Sequence, residues 1–277
     1  MVTKPHPSRL HRKLQYRYVD WANKLVPALI VLWVITFEVQ ADANIGIIGR
    51  DDRFPLKTDA WPWAAIGRVN QRGGITHCSG VLVAPRIALT AAHCVWGREE
   101  KAWLHPEDLV FVPNLKPGEV SEFSRVEKVV KPDGDMPEKI DEQYLARDWA
   151  LLVLEKELHT QPVQVRSLDP EWAGSLLSLS LKTGGYPEDR PYLLSVQLGC
   201  KLMGQAGSGA ILVTDCDSTR GSSGSPLLMQ RSSQEWYVVG VFSAANLPHS
   251  RETGTYAVNA ATFEDTLQKL GPKRRKE

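Results

Sequence analysis

After residue 43 the chain is a series of short apolar stretches separated by Gly, Pro and polar clusters. Ala64–Val69, Gly80–Ala84, Leu109–Val112, Arg125–Val130, Ala150–Leu154, Leu193–Leu198, Ala210–Thr214, Trp236–Ser243 and Thr255–Asn259 are the clearest. Runs of this length between turn formers predict strands, and many of them at this spacing predict an all-β sandwich or barrel. One helix is expected, at the end. Thr262-Phe263-Glu264-Asp265 has the form of a capping box, and Phe263, Leu267 and Leu270 recur at helical spacing. The stretch from Pro132 to Arg147 reads as polar loop. A break near Leu158–Trp172 divides the body into two halves, 44–160 and 161–277, each long enough for a small β-barrel.

The first 43 residues follow a different pattern. A basic stretch precedes the apolar run Leu25 to Phe37, about 13 residues interrupted by Pro27. A bilayer span takes roughly 20 residues, so this run suits an export signal better than a span. Ala41-Asp42-Ala43 then supplies a small-x-small cleavage pattern, with cleavage expected after Ala43 or Ala41. The alternative is an uncleaved anchor, and membrane contact is expected only in that case. Either way the body faces the extracytoplasmic side, secreted or periplasmic.

Composition narrows the classes further. At 43% hydrophobic and 23% charged, the chain is ordinary globular protein. The net charge is +1, but residues 1–43 carry six basic and three acidic groups, so the body is slightly acidic. No basic face is left for nucleic acid, and Lys273-Arg274-Arg275-Lys276 reads as a short solvated tail. All four cysteines, Cys78, Cys94, Cys200 and Cys216, lie in the exported part. An even number after a signal reads as disulfides, and three pairings are open. The local one, Cys78 with Cys94 and Cys200 with Cys216, is the simplest. With no CxxC or HExxH spacing, no metal or other cofactor is expected.

Candidate chemistry sits in three places. Thr90-Ala91-Ala92-His93-Cys94 offers a histidine, Asp148 enters the apolar run Ala150–Leu154, and Gly221-Ser222-Ser223-Gly224-Ser225-Pro226 offers a serine among small residues. A serine hydroxyl is a poor nucleophile until a base takes its proton. An imidazole suits that task, and a buried carboxylate on its other nitrogen fixes the tautomer. His93 is therefore the candidate base, Asp148 the orienting group and Ser223 the nucleophile. Gly221 and Ser223 are the candidate oxyanion-hole donors through their backbone N–H groups. Eight other aspartates lie between His93 and Ser223. Asp148 is preferred because the strand after it would bury it, whereas Asp133, Asp135 and Asp141 sit in polar sequence. The order His, Asp, Ser disfavours an α/β-hydrolase, which runs Ser, acid, His and carries Gly-x-Ser-x-Gly.

These residues resemble the chymotrypsin-like (trypsin-like) serine peptidases over most of the body. Trp61-Pro62-Trp63, Cys78-Ser79-Gly80-Val81-Leu82-Val83, Leu89–Cys94, Asp148–Leu154, Gly221–Pro226 and Gly240-Val241-Phe242-Ser243 each resemble a family motif. The resemblance implies two antiparallel six-stranded β-barrels with a C-terminal helix and catalysis in the cleft between the barrels. It implies a serine endopeptidase acting on protein or peptide substrates, and it supports the Cys78–Cys94 bridge. The rival from another class is a non-catalytic protease-like binding module.

Departures from the family pattern carry information. Ser222 stands where the animal enzymes have the Asp that receives a new N-terminal ammonium on activation. Ile47-Ile48-Gly49 faintly resembles that N-terminus but follows Ile45 and Gly46, so no such activation switch is expected. Gly-x-Ser-Gly-Ser-Pro instead resembles the bacterial branch that includes glutamyl endopeptidases. For substrate binding the resemblance singles out Asp217, Ser243, Ala245 and Gly254. Asp217 lies six residues before Ser223, so an inward carboxylate would favour Arg or Lys. Phe242 stands where the glutamyl enzymes have histidine, which argues against Glu. Small or medium apolar residues are the next alternative.

Overall fold

The computed structural model describes residues 46–74, 77–168, 180–245 and 254–271. The expected export segment, the second part of the Leu158–Trp172 break and the basic tail lie outside the described residues.

Two six-stranded barrels form the body. The first closes in the order β2 (Ile66–Gln71), β3 (His77–Ala84), β4 (Ile87–Thr90), β9 (Ala150–Leu154), β8 (Ser124–Val130) and β7 (Leu109–Pro113), all neighbours antiparallel. A two-stranded ribbon, β5 (Trp96–Gly97) with β6 (Ala102–Trp103), projects between β4 and β7. The second barrel runs β12 (Ser195–Ala206), β11 (Ser180–Gly185), β14 (Pro226–Ser232), β15 (Glu235–Ala245), β16 (Thr255–Asn259) and β13 (Ile211–Thr214). It closes because β12 is long enough to pair β11 through its first half and β13 through its second. β1 (Phe54–Pro55) adds to β12, and β10 (Gln164–Val165) adds parallel to β15. The expected all-β, two-barrel architecture is present.

Side-chain size explains local closure. Phe111 is fully buried, and a Cβ on Gly67 of the neighbouring strand would come within 2.6 Å of its ring. Glycine at 67 thus lets one aromatic ring fill the first barrel, where full burial contributes about 2–3 kcal/mol. The second barrel is filled by Leu181, Leu202, Leu212, Leu227, Met229 and Phe242.

Several elements differ from the sequence expectation. Ile87–Thr90, Ser180–Gly185 and Pro226–Ser232 are strands that had not been expected. The first is very short, the second ends in Gly184-Gly185, and the third opens on Pro226, all features that read as turn. Proline is tolerated as the first residue of a strand. β12 continues past Leu198 through Gly199 and Gly204, with register shifts that bend it around the barrel corner. The loop-like stretch before Arg147 contains a short helix, α1 (Glu142–Ala146). Asp141 caps it by accepting from Tyr144 N at 3.0 Å, and Tyr144 and Leu145 are buried against β13 and β16. The terminal helix α2 (Glu264–Leu270) is present, but Thr262 does not cap it. Thr262 Oγ1 donates to Asn259 O instead, and Glu264 reaches out to accept from Ser167 N. Among the described residues no helix is long and apolar enough to cross a membrane.

Both local disulfides are formed, with Cα–Cα distances of 6.0 Å for Cys78–Cys94 and 5.0 Å for Cys200–Cys216. Cys200 and Cys216 are buried in the second barrel and tie β12 to the start of the 217–222 loop. Replacing both by alanine is expected to lower the unfolding free energy by about 3 kcal/mol, the chain-entropy value for a loop of this size. Urea denaturation monitored by tryptophan fluorescence checks this, and an unchanged midpoint would contradict it.

Candidate active site

β4 ends at Thr90, and a single 3-10 turn, Ala92–Val95, follows. Thr90 Oγ1 donates to Ser79 O at 2.7 Å, and the Cys78–Cys94 bridge joins the turn to β3. His93 is therefore held from both sides. Its side chain is largely buried, at 13% exposure.

Asp148 reaches the same point from α1. The helix ends at Ala146, Asp148 N donates to Leu145 O at 3.1 Å, and β9 begins two residues later. The carboxylate is completely buried. Its Oδ1 accepts from His93 N at 2.8 Å, and its Oδ2 faces His93 Nδ1 at 2.7 Å. Ser243 Oγ donates to the same Oδ2. An ionised carboxylate only accepts, so Nδ1 is the donor of this pair and a neutral imidazole held this way has its lone pair on Nε2. The buried Tyr144 hydroxyl lies nearby, its pKa pushed up first by burial and then by the Asp148 charge.

Ser223 lies in the loop Gly221–Ser225. Gly221 has φ +83° and Gly224 φ +82°, conformations that strain other residues. There is no room for larger ones either. A Cβ on Gly224 would come 2.2 Å from Ser79 O, and one on Gly221 would come 2.7 Å from Tyr186 O. Ser223 O accepts from Ser79 N at 2.8 Å, which anchors the serine to β3. His93 and Ser223 Oγ are not hydrogen-bonded to one another in this structure. Such contacts are commonly long before substrate binds.

The candidate oxyanion donors are set by the carbonyls on the far side of their peptides. In a trans peptide, C=O and N–H point opposite ways. Arg220 O accepts from Glu188 N at 2.8 Å, and Ser222 O accepts from Ser225 N at 2.9 Å. The N–H groups of Gly221 and Ser223 are thereby turned away from both contacts. Neither Gly221 N nor Ser223 N has a protein acceptor among the described residues.

The residues expected to bind substrate are arranged differently. Asp217 is 3% exposed, and both of its oxygens are engaged. Oδ1 accepts from Ile48 N at 2.8 Å and Oδ2 from Asp52 N at 3.0 Å. The carboxylate is thus turned to the segment 46–53. Burial raises its pKa, partly offset by those two N–H groups. The same segment is fixed by Ser218 N donating to Gly46 O at 2.9 Å. Arg53, whose side chain is 6% exposed, reaches Asp51, Asp189 and Thr219 Oγ1. The Ser243 hydroxyl serves Asp148. Ala245 lies beside Gly46, where an added Cβ would come within 2.8 Å of Ala245 Cβ. Gly254 packs against Val213 and Thr214. Residues 246–253, between them, lie outside the described residues.

Sequence reasoning missed Arg53 and Ser79. The signal for Ser79 was available, since Cys78-Ser79-Gly80 departs from the Cys-Gly-Gly pattern to which it was likened. Cys78 and Cys94 lie close to His93, but as disulfide sulfurs they are not thiolate ligands for a metal. A cleft beside His93 is lined by Trp96, Arg98, Met136, Ile140 and Tyr144.

Known proteins agree with this architecture. A solved structure of a Glu endopeptidase in complex with MPD superposes with a TM-score of 0.63 over 80% of this chain and 97% of that one, at 20% identity. Serine protease 23 of Mus musculus is 28% identical over 61% of this chain and 48% of its own length. The Homo sapiens protein of the same name is 28% identical over 73% and 54%. The chain thus spans about half the length of the curated relatives it matches. The trypsin family profile matches residues 52–267, which takes in both barrels, His93, Asp148 and Ser223, and the chain belongs to that family.

Proposed function

We propose that the chain is an exported serine endopeptidase working through an acyl-enzyme. Ser223 Oγ attacks the scissile carbonyl carbon while its proton passes to His93 Nε2. The carbonyl π electrons move onto oxygen, which the N–H groups of Gly221 and Ser223 receive. His93 then gives the proton to the departing amine, and the C–N bond breaks. Water repeats the sequence on the ester, releasing the acid and restoring Ser223. The observation that carries this reading is Asp148, fully buried and holding His93 through both the backbone N–H and Nδ1. Affinity with the branch that includes glutamyl endopeptidases rests on Gly221–Pro226 and belongs to the proposal. So does export, which the two disulfides support.

For the side chain before the scissile bond we infer a small or medium apolar residue rather than Arg or Lys. Both oxygens of Asp217 already accept backbone N–H groups. The carboxylate is buried and turned to the segment 46–53, so a guanidinium that did not reach it would be an unpaired buried charge, at a cost of several kcal/mol. The contacts of Asp217 and Arg53 also support a 217–222 loop ordered without a free N-terminal ammonium.

A fluorophosphonate probe tests the activity, and chromogenic peptides test the preference. Ser223 is expected to be modified. Peptides ending in Ala or Val are expected to exceed those ending in Arg by at least about 100-fold in kcat/KM, the equivalent of ~3 kcal/mol. Peptides ending in Glu are expected to be poor. An unmodified Ser223 would leave a binding module as the better reading, and preferred cleavage after Arg would restore Asp217 to the pocket floor.

A further inference from the structure

The oxyanion loop is held by a side chain that the triad does not require. Ser79 is fully buried in β3, between Cys78 and Gly80. Its hydroxyl donates to Gly221 O at 2.8 Å and accepts from Tyr186 N at 2.8 Å. Its own N–H donates to Ser223 O at 2.8 Å. One residue of the first barrel thus touches both residues proposed to bind the oxyanion, and it does so through two different groups.

The hydroxyl bond matters because of what else Tyr186 carries. Two residues beyond it, Glu188 N binds Arg220 O and so orients the peptide whose N–H belongs to Gly221. Ser79 Oγ therefore joins the two loops whose alignment aims that donor. Space reinforces the link. A Cβ on Gly185 would fall 2.8 Å from Ser79 Oγ, and one on Gly221 would fall 2.8 Å from Glu188 N. The two loops and β3 are in contact through glycines, and the hydroxyl fills the junction.

We propose that Ser79 is a positioning residue for the oxyanion hole: its hydroxyl ties Gly221 O to Tyr186 N and so holds in line the two loops that aim the Gly221 N–H, and without it the transition state loses stabilisation while substrate binding is retained. This rests on the serine peptidase reading. The substitution Ser79→Ala removes the hydroxyl and keeps the backbone N–H to Ser223 O. Removing an oxyanion donor outright costs about 100- to 1000-fold in kcat, so misaligning one is expected to cost about 10- to 100-fold, with KM nearly unchanged. Modification of Ser223 by the fluorophosphonate is expected to slow in parallel.

The assay uses the full chain, with kcat referred to the folded fraction measured by circular dichroism. Ser79→Gly, which only deletes atoms, is the second variant should alanine fail to fold. A lower melting temperature with unchanged kcat and labelling rate in the folded variant would make Ser79 merely structural and overturn the proposal. A rise in KM alone would also overturn it. If the wild-type chain itself neither turns over peptide nor reacts with the probe, the serine peptidase reading fails and this inference falls with it. If wild type reacts and the variant reacts equally, only the inference fails.

Discussion

Ser223→Ala is expected to lower kcat by about a million-fold, the loss seen when the nucleophile of a triad is removed elsewhere. The fold is expected to survive, because the structural contact of Ser223 is its backbone carbonyl, which accepts from Ser79 N. Alanine keeps that carbonyl and the N–H proposed for the oxyanion. What disappears is the oxygen that bonds to the substrate carbonyl, and no neighbour can replace it. Ser222 precedes Ser223 in sequence but is 6% exposed and lines a small recess together with Asp217 and Ser225. Residual activity about 1000- to 10,000-fold above water would remain, from binding and the oxyanion donors. The measurement is hydrolysis of a peptide ester, with the wild type quantified by active-site titration and the variant by absorbance. A loss smaller than about 100-fold would remove Ser223 from the reaction.

The strongest parts of this site were legible in sequence because they are local. Thr90–Cys94 and Gly221–Pro226 combine reactive groups with the small residues that the turns require. Asp148 could be chosen among nine aspartates because burial follows from the apolar run after it. The contacts that join Arg53 to Asp189 and Thr219, and Asp217 to Ile48 and Asp52, were not legible, because each spans more than a hundred residues of the chain. The spacing of Asp217 from Ser223 was right for a pocket floor, but spacing does not say which way a carboxylate turns. That direction is decided by the N–H groups of Ile48 and Asp52, which belong to a segment that carries no strong pattern of its own. The strands that were missed share a similar cause. Ser180–Gly185 and Pro226–Ser232 carry Gly and Pro where the barrel places them at a close approach or a strand start, and local propensity reads those residues as turns.

Asp148→Asn is expected to lower kcat by about 10,000-fold, with little change in KM. The size of the effect follows from which donors can reverse. An amide offers one acceptor and one donor where the carboxylate offers two acceptors. Oδ1 receives the His93 backbone N–H at 2.8 Å, and a backbone N–H can neither turn nor give up its proton. The amide oxygen must therefore take the Oδ1 position, which puts the NH2 where Oδ2 was. That position faces two groups able to adapt, Ser243 Oγ and His93 Nδ1. The hydroxyl rotates and becomes an acceptor. The imidazole moves its proton to Nε2 so that Nδ1 accepts from the amide. His93 then presents a proton where the mechanism needs a lone pair, and Ser223 loses its base although every side chain keeps its place. Nitrogen-15 resonances of the imidazole report the tautomer directly, with Nδ1 protonated in the wild type and Nε2 protonated in the variant. A variant within tenfold of wild-type kcat, or one with Nδ1 still protonated, would show that Asp148 does not set the tautomer.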